Sequence, residues 1–257
     1  MNAMIRRRLA SSLLLLAALA AAACGGARED PILQLSAAES LAQGKVLLDR
    51  KEYAEARKYL THAFEAEPNS AAGREGLLLA ADSLFLQGGN QNLIQAEAKY
   101  RDFQNRFPTS DRAAYVQFQI AKTLARRMEK PDRDQKVAAQ AQEAFEALLR
   151  LYPTSEFAAQ AEQEIRQVKD NLAEHEFLVG NFYLRFGLPV AAAQRFENLL
   201  GTYPDYSHRD KVLYHLGLAY RKQEKPTESQ AAFERLRSEF PQSPYVAELP
   251  PPPAVEG

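Results

Sequence analysis

Cysteine is almost missing from this chain, with one copy in 257 residues. A single thiol excludes an intrachain disulfide framework and any zinc cage built from cysteines. Histidine is scarce as well. The four copies, His62, His175, His208 and His215, are scattered along the sequence, and the one near-match to a zinc helix fails because His175-Glu176 is followed by Val179 where H-E-x-x-H needs a second histidine. An excess of one charge is also lacking. Thirty-two basic residues face 33 acidic ones, whereas a protein whose main partner is nucleic acid needs a large basic surplus to meet the phosphates. The sequence has no glycine-rich phosphate loop, no G-x-S-x-G elbow and no EF-hand string. Enzymatic activity and a bound cofactor or metal are therefore not expected. What remains is a chain with 46% hydrophobic and 25% charged residues, near the averages of globular proteins.

Long apolar runs are equally rare, and the single one sits at the start. Arg6, Arg7 and Arg8 precede an apolar stretch from Leu9 that reaches Ala21-Ala22-Ala23 immediately before Cys24. The stretch is shorter than the roughly 20 residues a spanning helix needs, and the basic start with small residues at its end has the form of a signal peptide. It resembles a bacterial lipobox, with Ala21 where leucine is usual. That resemblance implies cleavage after residue 23 and lipid addition to the Cys24 thiol. Residues 1–23 are then a leader, and 24–35 a lipidated tether opening on Gly25 and Gly26. Loss of the leader removes three arginines and no acid, which leaves a mildly acidic body in water beside the membrane. One acyl chain binds a bilayer weakly, so stable anchoring implies several chains.

From residue 36 to 246 one pattern is repeated five times. Phe107-Pro108-Thr109-Ser110, Tyr152-Pro153-Thr154-Ser155 and Phe240-Pro241-Gln242-Ser243 share the phrase aromatic-Pro-x-Ser, and variants occur at Glu67-Pro68-Asn69-Ser70 and Tyr203-Pro204-Asp205-Tyr206-Ser207. Proline ends the preceding helix, and the serine is suited to cap the next one. Upstream of each proline stands a ladder of three residues: Ala56, Leu60, Ala63; Ala96, Tyr100, Phe103; Ala141, Phe145, Leu148; Ala192, Phe196, Leu199; and Ser229, Phe233, Leu236. Steps of four and three place each trio on one helical face. This is the pattern of the tetratricopeptide repeat, a helix-turn-helix unit of about 34 residues.

The intervals between the prolines are 40, 45, 51 and 37 residues, longer than that period. The surplus is local: a turn at Gly88-Gly89-Asn90-Gln91, a charged loop over Arg126–Gln135, and a run from Ser155 to Phe186 that forms either one extended helix or two in near-continuous register. The expected fold is all-α, a right-handed α-solenoid of about ten helices in five pairs. Residues 247–257 form a Pro-rich tail expected to be extended and disordered.

First helices of successive units line the inner surface of such a solenoid, which accepts extended peptides or partner helices. Lys45, Tyr115, Lys122, Asn181 and Arg185 fall on that surface by repeat position. Aromatic rings beside Lys and Arg suit a peptide with an aromatic side chain and a terminal carboxylate.

Two stretches carry a more specific likeness. Pro131–Gln135 with Ala144–Ala158, and Asn171–Glu176 with Phe182–Gly187 and Ala191–Glu197, resemble the third and fourth repeats of the BamD family, lipoprotein subunits of the outer-membrane β-barrel assembly machine. Lys136-Val137 depart from it where threonine is usual, as does the Pro-rich tail. The resemblance implies a non-catalytic scaffold, lipid-anchored at the periplasmic face of the outer membrane. It further implies docking on a BamA-like barrel subunit through the C-terminal repeats, at Arg195 and secondarily Arg185, and reception of unfolded outer-membrane proteins by their C-terminal segments at the N-terminal repeats. An adaptor lipoprotein of another envelope system, such as a pilus-secretin pilot or a Tol-Pal-associated factor, shares the lipobox and the repeats but not those two stretches.

Overall fold

The computed structural model describes residues 30–251; Cys24, the leader and the tail beyond Pro251 lie outside them. Ten α-helices pair in chain order: α1 (Ala37–Asp49) with α2 (Tyr53–Ala66), α3 (Ala71–Gln87) with α4 (Asn90–Arg106), α5 (Ala113–Arg126) with α6 (Lys136–Leu151), α7 (Ala158–Arg185) with α8 (Pro189–Thr202), and α9 (Arg209–Lys222) with α10 (Pro226–Glu239). No strand occurs among the described residues. Each helix packs on its neighbours in sequence, which makes the body a helical solenoid of tetratricopeptide-like units.

The ladders explain the pairing. Every residue of the five trios is buried, from Ala56, Leu60 and Ala63 in α2 to Ser229, Phe233 and Leu236 in α10. Ser229, the one polar member, donates its hydroxyl to the Gly217 carbonyl at 2.9 Å, so its burial leaves no polar group unmatched. Facing the second helices are small residues on the first. Gly44, Gly180 and Gly217 lie against Leu60, Phe196 and Phe233, and a Cβ at Gly217 would stand 2.2 Å from the Phe233 ring.

All five second helices stop where expected. Their C-caps, Glu67, Phe107, Tyr152, Tyr203 and Phe240, each immediately precede a proline and have extended φ between −142° and −122°. The serine caps are less uniform. Ser70 accepts from the Gly73 amide and starts α3, and Ser243 starts only a 3-10 turn. Ser110 and Ser155 are followed by an extra turn, with their carbonyls accepting from Ala113 and Ala158, so α5 and α7 begin two residues beyond the serine cap position. Ser207 instead donates to Asp170. In every unit but the third, the turn between paired helices contains a left-handed residue. Gly187 provides it at φ +75° in the fourth unit, while Lys51 and Glu224 adopt φ +61° and +60° against the preference of a side chain for negative φ.

The run from Ser155 to Phe186 resolves into one helix, α7, of 28 residues and about 42 Å in length. Two large hydrophobic clusters meet on it. Ala161, Ile165, Val168 and Leu172 belong to the cluster shared with α3–α6, and Ala173, Phe177 and Leu184 to the cluster shared with α8–α10. A third cluster joins α1, α2 and α3. At the chain ends, part of the anticipated tether is ordered: Pro31–Gln34 form a 3-10 turn capped by Asp30, and His62 Nε2 bonds the Leu35 carbonyl at 3.1 Å. Part of the anticipated tail is ordered too. Tyr245, just ahead of it, stacks on Tyr214 at 5.1 Å, and within it the Pro251 carbonyl is 3.5 Å from Arg221 Nη1.

Candidate docking site

The second half of α7 gathers polar contacts from three neighbouring segments. Asn171 donates to Gln135 Oε1 at 2.7 Å and His175 Nδ1 bonds the Pro131 carbonyl at 2.7 Å, so the charged loop of the third unit is pinned to the fourth. The two stretches that carry the family likeness are thus in contact. One turn away, Glu174 receives Lys211 Nζ at 2.7 Å and the Tyr206 hydroxyl, while Lys211 also lies 3.9 Å from the Phe177 ring centre. These bonds fix the entry to α9.

Arg195, on α8, reaches back to Glu176 Oε2 at 2.9 Å. The pair lines a shallow cavity of about 280 Å³ together with Asn198, Thr202 and Tyr203. Both side chains are partly exposed, so the guanidinium retains donors toward solvent.

The other residues expected on the inner surface divide into two groups. Lys45 is exposed and stands 3.9 Å from Glu75. Lys122 is held between Glu164, at 3.8 Å, and the face of Phe118. Tyr115 is not a free platform: its ring packs on Phe157, and its hydroxyl donates to Asp82 at 2.9 Å. Asp82, on α3, also accepts from Tyr100 at 2.6 Å. Burial pushes its carboxyl up to about 6, against the downward pull of the two tyrosine hydrogen bonds. Burial likewise pushes the Tyr115 hydroxyl well above the usual tyrosine range, so it stays a protonated donor. This buried triad ties the second unit to the third and is a packing device.

Asn181 and Arg185, in contrast, share a cleft of about 440 Å³ between α7 and α9. Arg221 and Lys222 complete it, and sequence reasoning missed both. Register carried the signal. Arg185 follows Gly180 by five residues and Lys222 follows Gly217 by five, so the two cations occupy the same place in adjacent units.

Among the described residues no group of three or more His, Cys, Asp or Glu is placed to hold a metal ion, and no helix is long and apolar enough to cross a membrane. Paired helices, each packed on its neighbours and sharing one long helix, define a solenoid of the tetratricopeptide-repeat class. Similar solved structures include the TPR2AB domain of yeast Sti1, 15% identical over 80% of this chain and 78% of that one with a TM-score of 0.43, and a tetratricopeptide repeat protein of Parabacteroides merdae, 15% identical over 80% and 68% with a TM-score of 0.37. The chain belongs to the YfiO family of outer membrane lipoproteins, which it matches over residues 34–229. Curated relatives are named outer membrane protein assembly factor BamD. That of Neisseria gonorrhoeae is 27% identical over 218 residues, covering 82% of each chain, and that of Rickettsia prowazekii is 28% identical over 178 residues, covering 69% of this chain and 70% of its own.

Proposed function

We propose that this chain is a non-catalytic scaffold subunit of the outer-membrane β-barrel assembly machinery. It is anchored by lipid on Cys24 at the periplasmic face and docks on a BamA-like barrel subunit while receiving C-terminal segments of unfolded outer-membrane proteins. The observation that carries the proposal is the family match from residue 34 to 229, which runs from the turn before α1 into the first turn of α10 and so covers four units and the first helix of the fifth. Docking is assigned to the fourth unit, at Arg195. Its ion pair with Glu176 is partly exposed, and such pairs contribute only about 0–1 kcal/mol to folding. Removing one side of a charge-assisted contact with a desolvated partner carboxylate costs about 2–5 kcal/mol, much of it from leaving that carboxylate unpaired, so loss of Arg195 penalises docking far more than folding.

The test is co-purification from detergent-solubilised membranes. A large β-barrel protein is expected with the wild-type chain and strongly depleted with Arg195→Ala and Arg195→Glu, the circular-dichroism melt staying near that of the wild type. Wild-type recovery of the barrel protein by both variants removes Arg195 from the interface. Recovery of a secretin or of Tol-Pal components in its place moves the chain to another envelope system.

A further inference from the structure

We propose that the cleft between α7 and α9 is an anion site that seats an acidic, extended peptide segment of a partner protein through its side-chain carboxylates. Arg185 comes from the last turn of α7, and Arg221 and Lys222 from the last turn of α9. All three are exposed. None forms an ion pair among the described residues, although Arg195 and Lys211 on the same two units both do. Arg221 makes only the long contact to the Pro251 carbonyl.

The cations outweigh what opposes them. Two helices end at the cleft, each with about half a negative charge at its C-terminus, which leaves roughly two net positive charges. His215 adds none near neutrality, because burial lowers its pKa, an effect the Lys211 ammonium reinforces and the Lys211 carbonyl and Glu248 only partly offset. The floor is apolar, with Leu184 and Leu218, and Asn181 stands beside it with an amide able both to donate and to accept. A backbone laid along Asn181, an apolar side chain on the leucines and flanking carboxylates on the arginines and lysine would satisfy every group. Such a segment matches the cleft in charge, and inner faces of helical repeats accept extended chains. The cleft shares no residue with the Arg195 cavity.

The proposal deepens the docking role above and rests on that reading, but its test needs neither the barrel subunit nor a membrane. A short peptide, fluorescein-labelled, amidated at its C-terminus and carrying two glutamates around a leucine, is titrated into the purified chain by fluorescence anisotropy, beside a twin with glutamines. The glutamate peptide is expected to bind about tenfold tighter near 0.05 M salt, with the gap closing as salt rises to about 0.5 M and the Debye length contracts. Arg185→Ala and Arg221→Ala should each weaken it about fivefold, Lys58→Ala on the outer face should leave it unchanged, and Arg185→Lys and Arg221→Lys should retain most of the binding. Thermal melts of every variant establish that they fold. Equal binding of the glutamine peptide, or undiminished binding by the double alanine variant, overturns the proposal. So does a glutamine peptide with a free C-terminal carboxylate that binds as tightly as the glutamate one, since the site would then select chain ends. Glu256→Gln that tightens binding about tenfold overturns it too, by assigning the cleft to the chain's own tail.

Discussion

Asp82 is a carboxylic acid held in a buried environment. It is 8% exposed and accepts hydrogen bonds from Tyr100 and Tyr115, yet burial raises its pKa from 3.8 to about 6. Arg112 pulls the value down and Glu75 pushes it up, both weakly. A carboxyl whose folded pKa exceeds its unfolded value binds more protons when folded, so its stabilisation is full below the unfolded value and fades as pH rises through about 6. The loss is about 3 kcal/mol. Asp82→Asn keeps an acceptor oxygen without the charge. In urea titrations it is expected to match the wild type near pH 4 and to exceed it by about 2–3 kcal/mol above pH 7. A gap that does not vary with pH would show that the charge is not what burial penalises. Of this triad only Tyr100 was legible in the sequence, through its ladder position. Tyr115 looked like a groove residue and nothing singled out Asp82, because their partners are distant in sequence, 18 residues away on the paired helix and 33 away in the next unit.

At the scale of the helix, close approach outweighs propensity. Alanine is a better helix former than glycine by about 1 kcal/mol, so Gly→Ala in an exposed helix stabilises. A Cβ at Gly201 in α8 would have nothing within 4 Å, and Gly201→Ala is expected to raise stability by up to about 1 kcal/mol. Gly217 in α9 has the Phe233 ring 2.2 Å away. There the overpacking cost of about 1–3 kcal/mol exceeds the propensity gain, and Gly217→Ala should lower stability by about 1–2 kcal/mol. Denaturant midpoints of the two variants, moving in opposite directions, check this; a shared direction sinks it. Helix pairing was legible because Gly180 and Gly217 stand at fixed distances from Phe196 and Phe233. The helix starts were less so, since the phrase ending in Ser110 or Ser155 leads equally into a direct cap or an added turn, and the choice depends on how α5 and α7 seat.

For the whole molecule the sequence specified five units but left open whether the fourth began with one helix or two. The absence of Gly and Pro between Ser155 and Gly180 allowed both, and packing against two clusters decided for one. That choice bears on cooperativity. A solenoid's stability is a sum of unit and nearest-neighbour terms, so a weak junction lets one end melt alone. No such junction is present among the described residues. Leu172 and Ala173 are consecutive residues of α7 that belong to different clusters, and α3 links the other pair, with Leu78 in one cluster and Ala80 in the next. Asn171, Glu174 and His175 add polar ties across the same helix. Damage in one block should therefore be felt at both ends. The chain contains no tryptophan, so single reporters at Phe64→Trp and Tyr245→Trp read the first and last units separately. Phe196→Ala removes a fully buried ring that packs on Phe177 at 5.7 Å and costs about 3–5 kcal/mol. Added to each reporter, it is expected to move both urea transitions to the same lower midpoint. If only the C-terminal reporter shifts, α7 fails to transmit the loss, and the solenoid is two cooperative blocks joined by a helix.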